Sequence, residues 1–202
     1  MKKDRSRLIA ALLLFAVVSL LPLAAAAQDT SVLRPPKGEK VAIIVFEDLQ
    51  CPDCARANPL LEEAARTYKI KLVRYDFPLP MHDWSFDAAL FARYFDTKSD
   101  KLGHDYRDWI FRNQPRVTKA NLRLMTEQWA AANKTDLPFM VDPQGKLAAA
   151  IKADQALALR IHIEHTPTIY VVNNNRQGTP FVEVVDRAQL FQMIDAMKAE
   201  AR

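Results

Sequence analysis

Cysteine is scarce in this chain of 202 residues, which contains only Cys51 and Cys54. Both lie in one Cys-Pro-Asp-Cys motif, so no cysteine is left for a structural disulfide elsewhere. A zinc site would need further ligands, but there is no second CxxC and the chain has only four histidines. His162 and His165 have helix-like spacing, yet they fall where a predicted helix passes into a loop. We therefore expect no metal site.

Clustered positive charge is lacking in most of the chain. The first seven residues carry four basic side chains, residues 8–23 are largely apolar, and residues 24–27 are alanines. This order is typical of a secretory signal, which we expect to be cleaved after residue 27. Because the apolar run approaches the roughly 20 residues that span a bilayer, an uncleaved signal anchor is the alternative. Without residues 1–27 the formal charge falls from +4 to +1, so we expect no nucleic-acid binding.

The CxxC motif follows a predicted buried strand. Residues 41–46 are consecutive apolar residues, mostly β-branched or aromatic, which is typical of a strand buried on both faces. Pro52 suits a first helical turn, so we expect Cys51 to cap a helix that reaches about residue 67. The free N–H groups and the positive dipole end of that helix favour a thiolate. Cys51 is therefore the predicted nucleophile, and Cys54, one turn further along, the predicted resolving thiol.

The rest of the pattern predicts a second strand, a long helical stretch and a final hairpin. Residues 70–75 form the second predicted strand, parallel to the first because a helix connects them. Residues 83–163 are helical in pattern, with about four helices and no strand signal. Predicted strands return at 168–172 and 181–185, and Asp186 can cap a last helix.

The order of strand, CxxC, helix and strand resembles the first half of a thioredoxin fold. The segments FEDLQCPDC (46–54) and FPLPMH (77–82) resemble the DsbA-like branch of thiol-disulfide oxidoreductases exported by bacteria. This resemblance implies an α/β thioredoxin fold, a central mixed β-sheet flanked by helices, with an inserted helical subdomain. The expected organisation is a linker at 28–40, the first half of the core at 41–82, the helical insertion at 83–163 and the second half of the core at 164–202.

The resemblance also implies a substrate-binding loop. Thr166 and Pro167 precede the hairpin, where thioredoxin-like proteins have a cis-proline beside the CxxC. A cis bond there would leave the backbone of Thr166 free to pair with an extended substrate segment, as in strand addition to a sheet edge. His165 is the expected neighbour of this loop. The arrangement would place a substrate cysteine against Cys51.

The residues between the cysteines depart from the family pattern. Strongly oxidising members carry Pro-His, whereas this chain has Pro52 and Asp53. The negative charge of Asp53 is expected to raise the pKa of Cys51, an effect diluted if Arg56 pairs with the aspartate. We therefore predict a milder oxidant than the Pro-His type.

A second departure concerns the buried acid that the family places six residues before the first cysteine. Here that position is Val45. Glu47 and Asp48, at the end of the strand, are the candidates for proton transfer to Cys54. The simpler interpretations are a solvated strand end for Glu47 and a loop or capping residue for Asp48.

Three classes of function fit these features. The favoured one is an exported, periplasmic or otherwise extracytoplasmic thiol-disulfide oxidoreductase without a cofactor, most simply an oxidase. Its implied partners are cysteine-containing protein substrates and a membrane-bound, quinone-linked reoxidising protein. The second is a reductase or isomerase kept reduced by a membrane electron donor, although isomerases of this superfamily usually carry an added dimerisation domain for which the linker leaves no room. The third is a non-enzymatic peptide-binding module.

Overall fold

A computed structural model describes residues 30, 32–175 and 177–202. The predicted signal segment at 1–27 and the first two residues of the predicted linker lie outside the described residues. Across the described ranges, we find no helix whose length and apolar character would let it cross a membrane.

A mixed four-stranded β-sheet lies at the centre of the fold. Strand β1 pairs in parallel with β2 and antiparallel with β3, and β3 pairs antiparallel with β4, which gives the order β2-β1-β3-β4. The predicted parallel pair and the predicted hairpin are both confirmed. The strands are β1 (Val41–Glu47), β2 (Lys71–Asp76), β3 (Thr168–Asn173) and β4 (Phe181–Glu183).

Six α-helices accompany this sheet in the described part of the chain, and four of them lie within residues 83–163, the number predicted for that stretch. These four, α2 to α5, occupy the long stretch between β2 and β3. Their bounds are α1 (Pro52–Tyr68), α2 (Ser85–Lys98), α3 (Asp100–Asn113), α4 (Leu122–Ala132), α5 (Lys146–Arg160) and α6 (Leu190–Glu200), with short 3₁₀ helices at Gln114–Arg116 and Arg187–Gln189.

Strand β1 is buried along its whole length because helices cover both faces of the sheet. Its odd-numbered residues, such as Ile43, pack with side chains of α1 and α6. Its even-numbered residues, such as Ile44, pack with Ala158 at the end of α5. This two-sided burial explains why residues 41–46 show no polar alternation.

The helical stretch has an aromatic core of its own. Phe95, Tyr106 and Trp129 contact one another with ring centroids 4.8 to 5.1 Å apart. The buried hydroxyl of Tyr106 is satisfied by Thr126 Oγ1 at 2.9 Å. The same apolar cluster includes both cysteines of the CxxC motif. The motif therefore lies where the sheet meets the helical stretch.

Candidate active site

Cys51 occupies the N-cap position of α1, and Pro52 is the first residue of the helix, as predicted. Both cysteines are free thiols. Cys51 is 7% exposed and Cys54 3%, so Cys51 is the more accessible of two largely covered residues. The side chain of Gln114 donates to the carbonyl oxygens of Leu49 and Cys51 at 2.7 and 3.1 Å and so fixes the backbone that enters the helix.

The surroundings of Cys51 stabilise its thiolate. A hydrogen bond from the Cys54 thiol, a contact with the Thr166 side chain and the backbone N–H groups of Cys54 and Asp53 lower the pKa of Cys51 to about 5 against the opposing effect of burial. Burial and the neighbouring Cys51 sulfur raise the pKa of Cys54 well above its usual range. The two thiols are thus split into one that ionises readily and one that stays protonated.

The loop before β3 lies against the sulfur of Cys51. The Thr166-Pro167 peptide bond is cis, as the resemblance implied. The Cys51 thiol donates to the carbonyl oxygen of Thr166 at 3.3 Å. Among the described residues, the buried Thr166 hydroxyl has no hydrogen-bond partner, and the Thr166 side chain beside the Cys51 sulfur helps to lower the pKa of Cys51.

A groove of about 250 Å³ begins beside this loop. Its lining includes Asp53, His165, Pro167, Val185 and Arg187. His165 is exposed and borders the groove, and its carbonyl oxygen accepts a hydrogen bond from Thr168 Oγ1 at 2.8 Å. Val185 is 86% exposed, which leaves an apolar side chain open at the rim.

The carboxylate of Asp53 forms ion pairs with two arginines. Arg56 contacts its carboxylate at 2.9 Å, as anticipated from the sequence. Arg187, from the opposite end of the chain, contacts the same oxygen at 2.8 Å, and no local sequence signal pointed to it. Hydrogen bonding with Arg187 and the charges of both arginines keep the pKa of Asp53 below its usual range, so the carboxylate is ionised but compensated.

Glu47 is buried, and the interpretation of a solvated strand end is wrong. It is 2% exposed and forms ion pairs with Arg74 at 2.5 Å and Arg107 at 3.6 Å. Burial outweighs these cations and raises the pKa of Glu47. Its charge in turn contributes to the raised pKa of Cys54. Glu47 therefore couples electrostatically to the second thiol.

Asp48 is a loop anchor, as its simpler interpretation predicted. Its buried carboxylate accepts hydrogen bonds from the backbone N–H of Gln50 and Leu79 at 2.7 Å each, and from the hydroxyl of Ser85. His82 Nδ1 lies 2.7 Å from the same carboxylate. The backbone N–H of Asp48, rather than its carboxylate, faces Cys54 Sγ at 3.4 Å.

Behind Glu47 lies a buried network of charges that sequence reasoning missed. Arg107 is 3% exposed and binds the carboxylate of Asp96 through two hydrogen bonds of 2.9 Å. Arg93 links Asp76 to Asp154. These residues come from separate elements and follow no local spacing, so no sequence pattern marks them. Among the described residues, no three His, Cys, Asp or Glu side chains group as metal ligands.

Known proteins share the sequence pattern and the fold of this chain. The family model described as "Thioredoxin" (Thioredoxin_4) matches residues 37–195. The chain belongs to this thioredoxin family. No curated protein sequence matches this chain significantly.

Solved structures of DsbA-type proteins share the fold of this chain. α-DsbA1 of Wolbachia pipientis is 16% identical, with a TM-score of 0.65 over 84% of this chain and 96% of that one. The thiol-disulfide exchange protein α-DsbA2 of the same organism is 16% identical, with a TM-score of 0.62 over 81% and 85%. A periplasmic thioredoxin-like protein from Salmonella enterica serovar Typhimurium is 20% identical, with a TM-score of 0.63 over 81% and 87%. The predicted thioredoxin fold with a helical insertion is confirmed, and the DsbA-type structures share it.

Proposed function

We propose that this protein is a thiol-disulfide oxidoreductase that exchanges a Cys51–Cys54 disulfide with cysteines of other proteins. One observation carries the proposal: Cys51 begins α1, and its sulfur contacts the Thr166 carbonyl oxygen beside the cis Pro167. The surroundings at this position lower the pKa of Cys51 to about 5. The thiolate is the species that attacks or leaves in disulfide exchange. The description of α-DsbA2 as a thiol-disulfide exchange protein supports the same chemistry.

In the oxidising direction the exchange takes two steps. A substrate thiolate attacks the sulfur of Cys51, the Cys51–Cys54 bond breaks, and Cys54 leaves and takes up a proton. A second substrate thiolate then attacks the substrate sulfur of the mixed disulfide, and Cys51 leaves as a thiolate. The substrate loses two electrons and gains a disulfide, while the protein becomes a dithiol.

The stabilised thiolate of Cys51 favours the oxidase direction. A pKa near 5 makes Cys51 a good leaving group and stabilises the reduced protein relative to the disulfide. Each cycle then needs a reoxidising partner, for which we propose a membrane-bound, quinone-linked protein. The charge of Asp53 should still make this a milder oxidant than proteins with Pro-His between the cysteines.

The remaining site residues receive proposed roles from their positions. Thr166 and Pro167 would bind the backbone of an extended substrate segment beside Cys51, and His165 would border that segment. Glu47 would receive or supply the proton of Cys54. We propose an extracytoplasmic location, which the periplasmic Salmonella protein of the same fold supports.

Oxidation of a reduced dithiol peptide tests the proposal. We expect the oxidised protein to convert one equivalent of peptide to its disulfide while becoming a dithiol, as read by mass spectrometry. Cys51→Ser should be inactive. Cys54→Ser, mixed with the disulfide form of the peptide, should accumulate a mixed disulfide at Cys51, because Cys51 attacks the peptide disulfide and no second thiol of the protein resolves the product. No peptide oxidation by the wild-type protein, or a mixed disulfide at Cys54 when the Cys51→Ser variant is mixed with the peptide disulfide, would refute the mechanism.

Thiol trapping in the native compartment separates the two directions of exchange. A steady disulfide between Cys51 and Cys54 is the expected result for an oxidase. A steady dithiol would instead assign the protein to the reductases or isomerases. Full biological effect of a Cys51→Ala variant would leave only a peptide-binding role.

A further inference from the structure

The aspartate between the two cysteines is tied to the far end of the chain. Arg187 lies in the 3₁₀ helix before α6 and contacts Asp53 Oδ1 through Nη2 at 2.8 Å. Its Nη1 also donates to the backbone carbonyl oxygen of Asp53 at 3.4 Å. One guanidinium therefore binds both the side chain and the main chain of the residue that follows Pro52.

This contact matters because Asp53 is an unfavourable neighbour for a thiolate. Its carboxylate stays ionised, and a second negative charge near Cys51 disfavours loss of the Cys51 proton. A cation bound to the carboxylate offsets that charge. The backbone N–H of Asp53 stabilises the Cys51 thiolate, so the orientation of this peptide unit matters as well.

Of the two arginines, Arg187 is the better placed to act. The Arg56 side chain is 67% exposed, and its pair with Asp53 joins neighbouring turns of one helix. The Arg187 side chain is 35% exposed and lines the groove beside Pro167. Solvent weakens exposed ion pairs, so the less exposed cation should contribute more.

We propose that Arg187 is a positioning residue that fixes Asp53 beside Cys51 and offsets its negative charge, so that a Cys-Pro-Asp-Cys motif can function as an oxidant. The inference rests on the proposed function. It places part of the control of the redox equilibrium in the second half of the core, more than 130 residues from the CxxC motif.

Equilibration with glutathione tests this role. The reaction is protein disulfide plus two glutathione thiols giving protein dithiol plus glutathione disulfide, and mass spectrometry measures its equilibrium constant. Arg187→Gln should shift this constant toward the protein disulfide by about two- to fivefold, the range expected for a partly exposed ion pair. Arg187→Lys should retain most of the wild-type value, because the cation remains.

Matched variants separate charge from general damage to the fold. Arg56→Gln removes a more exposed cation from the same carboxylate and should have a smaller effect. Arg123→Gln removes an arginine that pairs instead with Glu127 on α4, and it should leave the constant unchanged. Arg187→Gln combined with Asp53→Asn removes both charges together and should return the constant toward the wild-type value.

Two results would overturn the inference. One is an equilibrium constant for Arg187→Gln equal to that for Arg123→Gln. The other is a double variant that stays as displaced as Arg187→Gln alone, because Arg187 would then act through the fold and not through the charge of Asp53. Failure of the wild-type protein to exchange with glutathione at all would instead refute the proposed function.

Discussion

At the scale of single residues, the site depends on two sulfurs with opposite protonation behaviour. Cys51 receives hydrogen bonds that stabilise its thiolate, whereas Cys54 is held protonated by burial and by nearby negative charge. Glu47 contributes to that charge although it lies four positions before the motif rather than six. The position at which the family has its buried acid is Val45 in this chain. Strand β1 instead supplies a buried acid two residues further along, at Glu47.

Replacing Glu47 by glutamine should change how Cys54 titrates. Loss of the negative charge should lower the pKa of Cys54, because that charge disfavours its thiolate. Attack by Cys54 on the mixed disulfide at Cys51 should then begin at lower pH. Stopped-flow release of the substrate from the mixed disulfide, followed across pH, measures this step.

Asp154→Asn provides the matched control for Glu47→Gln. Asp154 belongs to the same buried network, where burial raises its pKa to about 6, but it contacts Arg93 and the backbone of Asp76. The control should keep the wild-type pH profile of substrate release. An unchanged profile in Glu47→Gln would remove Glu47 from the proton transfer.

At the scale of elements, the helices that follow β2 support the site from behind. Helices α2 and α3 approach closely at Gly103, where an added Cβ would lie 1.7 Å from Asp96 Oδ1 and 3.1 Å from Asp96 Cα. Asp96 cannot move freely because Arg107 binds both of its carboxylate oxygens. Arg107 in turn lies within 3.6 Å of Glu47. The packing of two helices is therefore coupled to the buried acid of the site.

Gly103→Ala should destabilise the protein by about 1 to 3 kcal/mol, the usual cost of overpacking. Alanine normally favours a helix over glycine by about 1 kcal/mol, so the sign of the effect distinguishes packing from helix propensity. Urea denaturation measures the change in the free energy of unfolding. In an Asp96→Ala background the same substitution should cost much less. A stabilising effect of Gly103→Ala in the wild-type background would contradict the close approach.

The elements themselves were predictable, because strong local patterns specify them. The apolar run at 41–46 and the Pro52 turn predicted β1 and the start of α1. Asp186 accepts a hydrogen bond from the backbone N–H of Ala188, so it caps the short 3₁₀ helix before α6 and not α6 itself, whose N-cap is Gln189. Contacts between distant parts of the chain were not predictable. Arg187, Gln114 and Arg107 reach the site through the folded topology, and nothing in their own sequence neighbourhoods marks them.

At the scale of the whole molecule, the thiolate of Cys51 links redox state to stability. The folded pKa of about 5 lies below the ordinary value of 9.0, so ionisation stabilises the folded, reduced protein. This contribution is fully present above about pH 9 and is lost as the pH falls through about 5. At neutral pH it amounts to about 2 kcal/mol after allowance for solvent screening.

The reduced protein should therefore lose about 2 kcal/mol of stability between pH 7 and pH 5 that the reduced Cys51→Ser variant does not lose. Urea denaturation of both proteins at the two pH values gives the difference. The oxidised wild-type protein, which has no thiol to ionise, should follow the variant. Parallel pH dependence in reduced wild type and Cys51→Ser would show that the thiolate does not stabilise the fold.

The most direct measurement is the rate at which the reduced protein is alkylated by iodoacetamide as a function of pH, with mass spectrometry to assign the modified cysteine. We predict that Cys51 alone reacts below pH 8 and that its rate rises with a midpoint near pH 5. A midpoint near the ordinary cysteine value of 9.0, or first modification at Cys54, would contradict a stabilised thiolate at the start of α1.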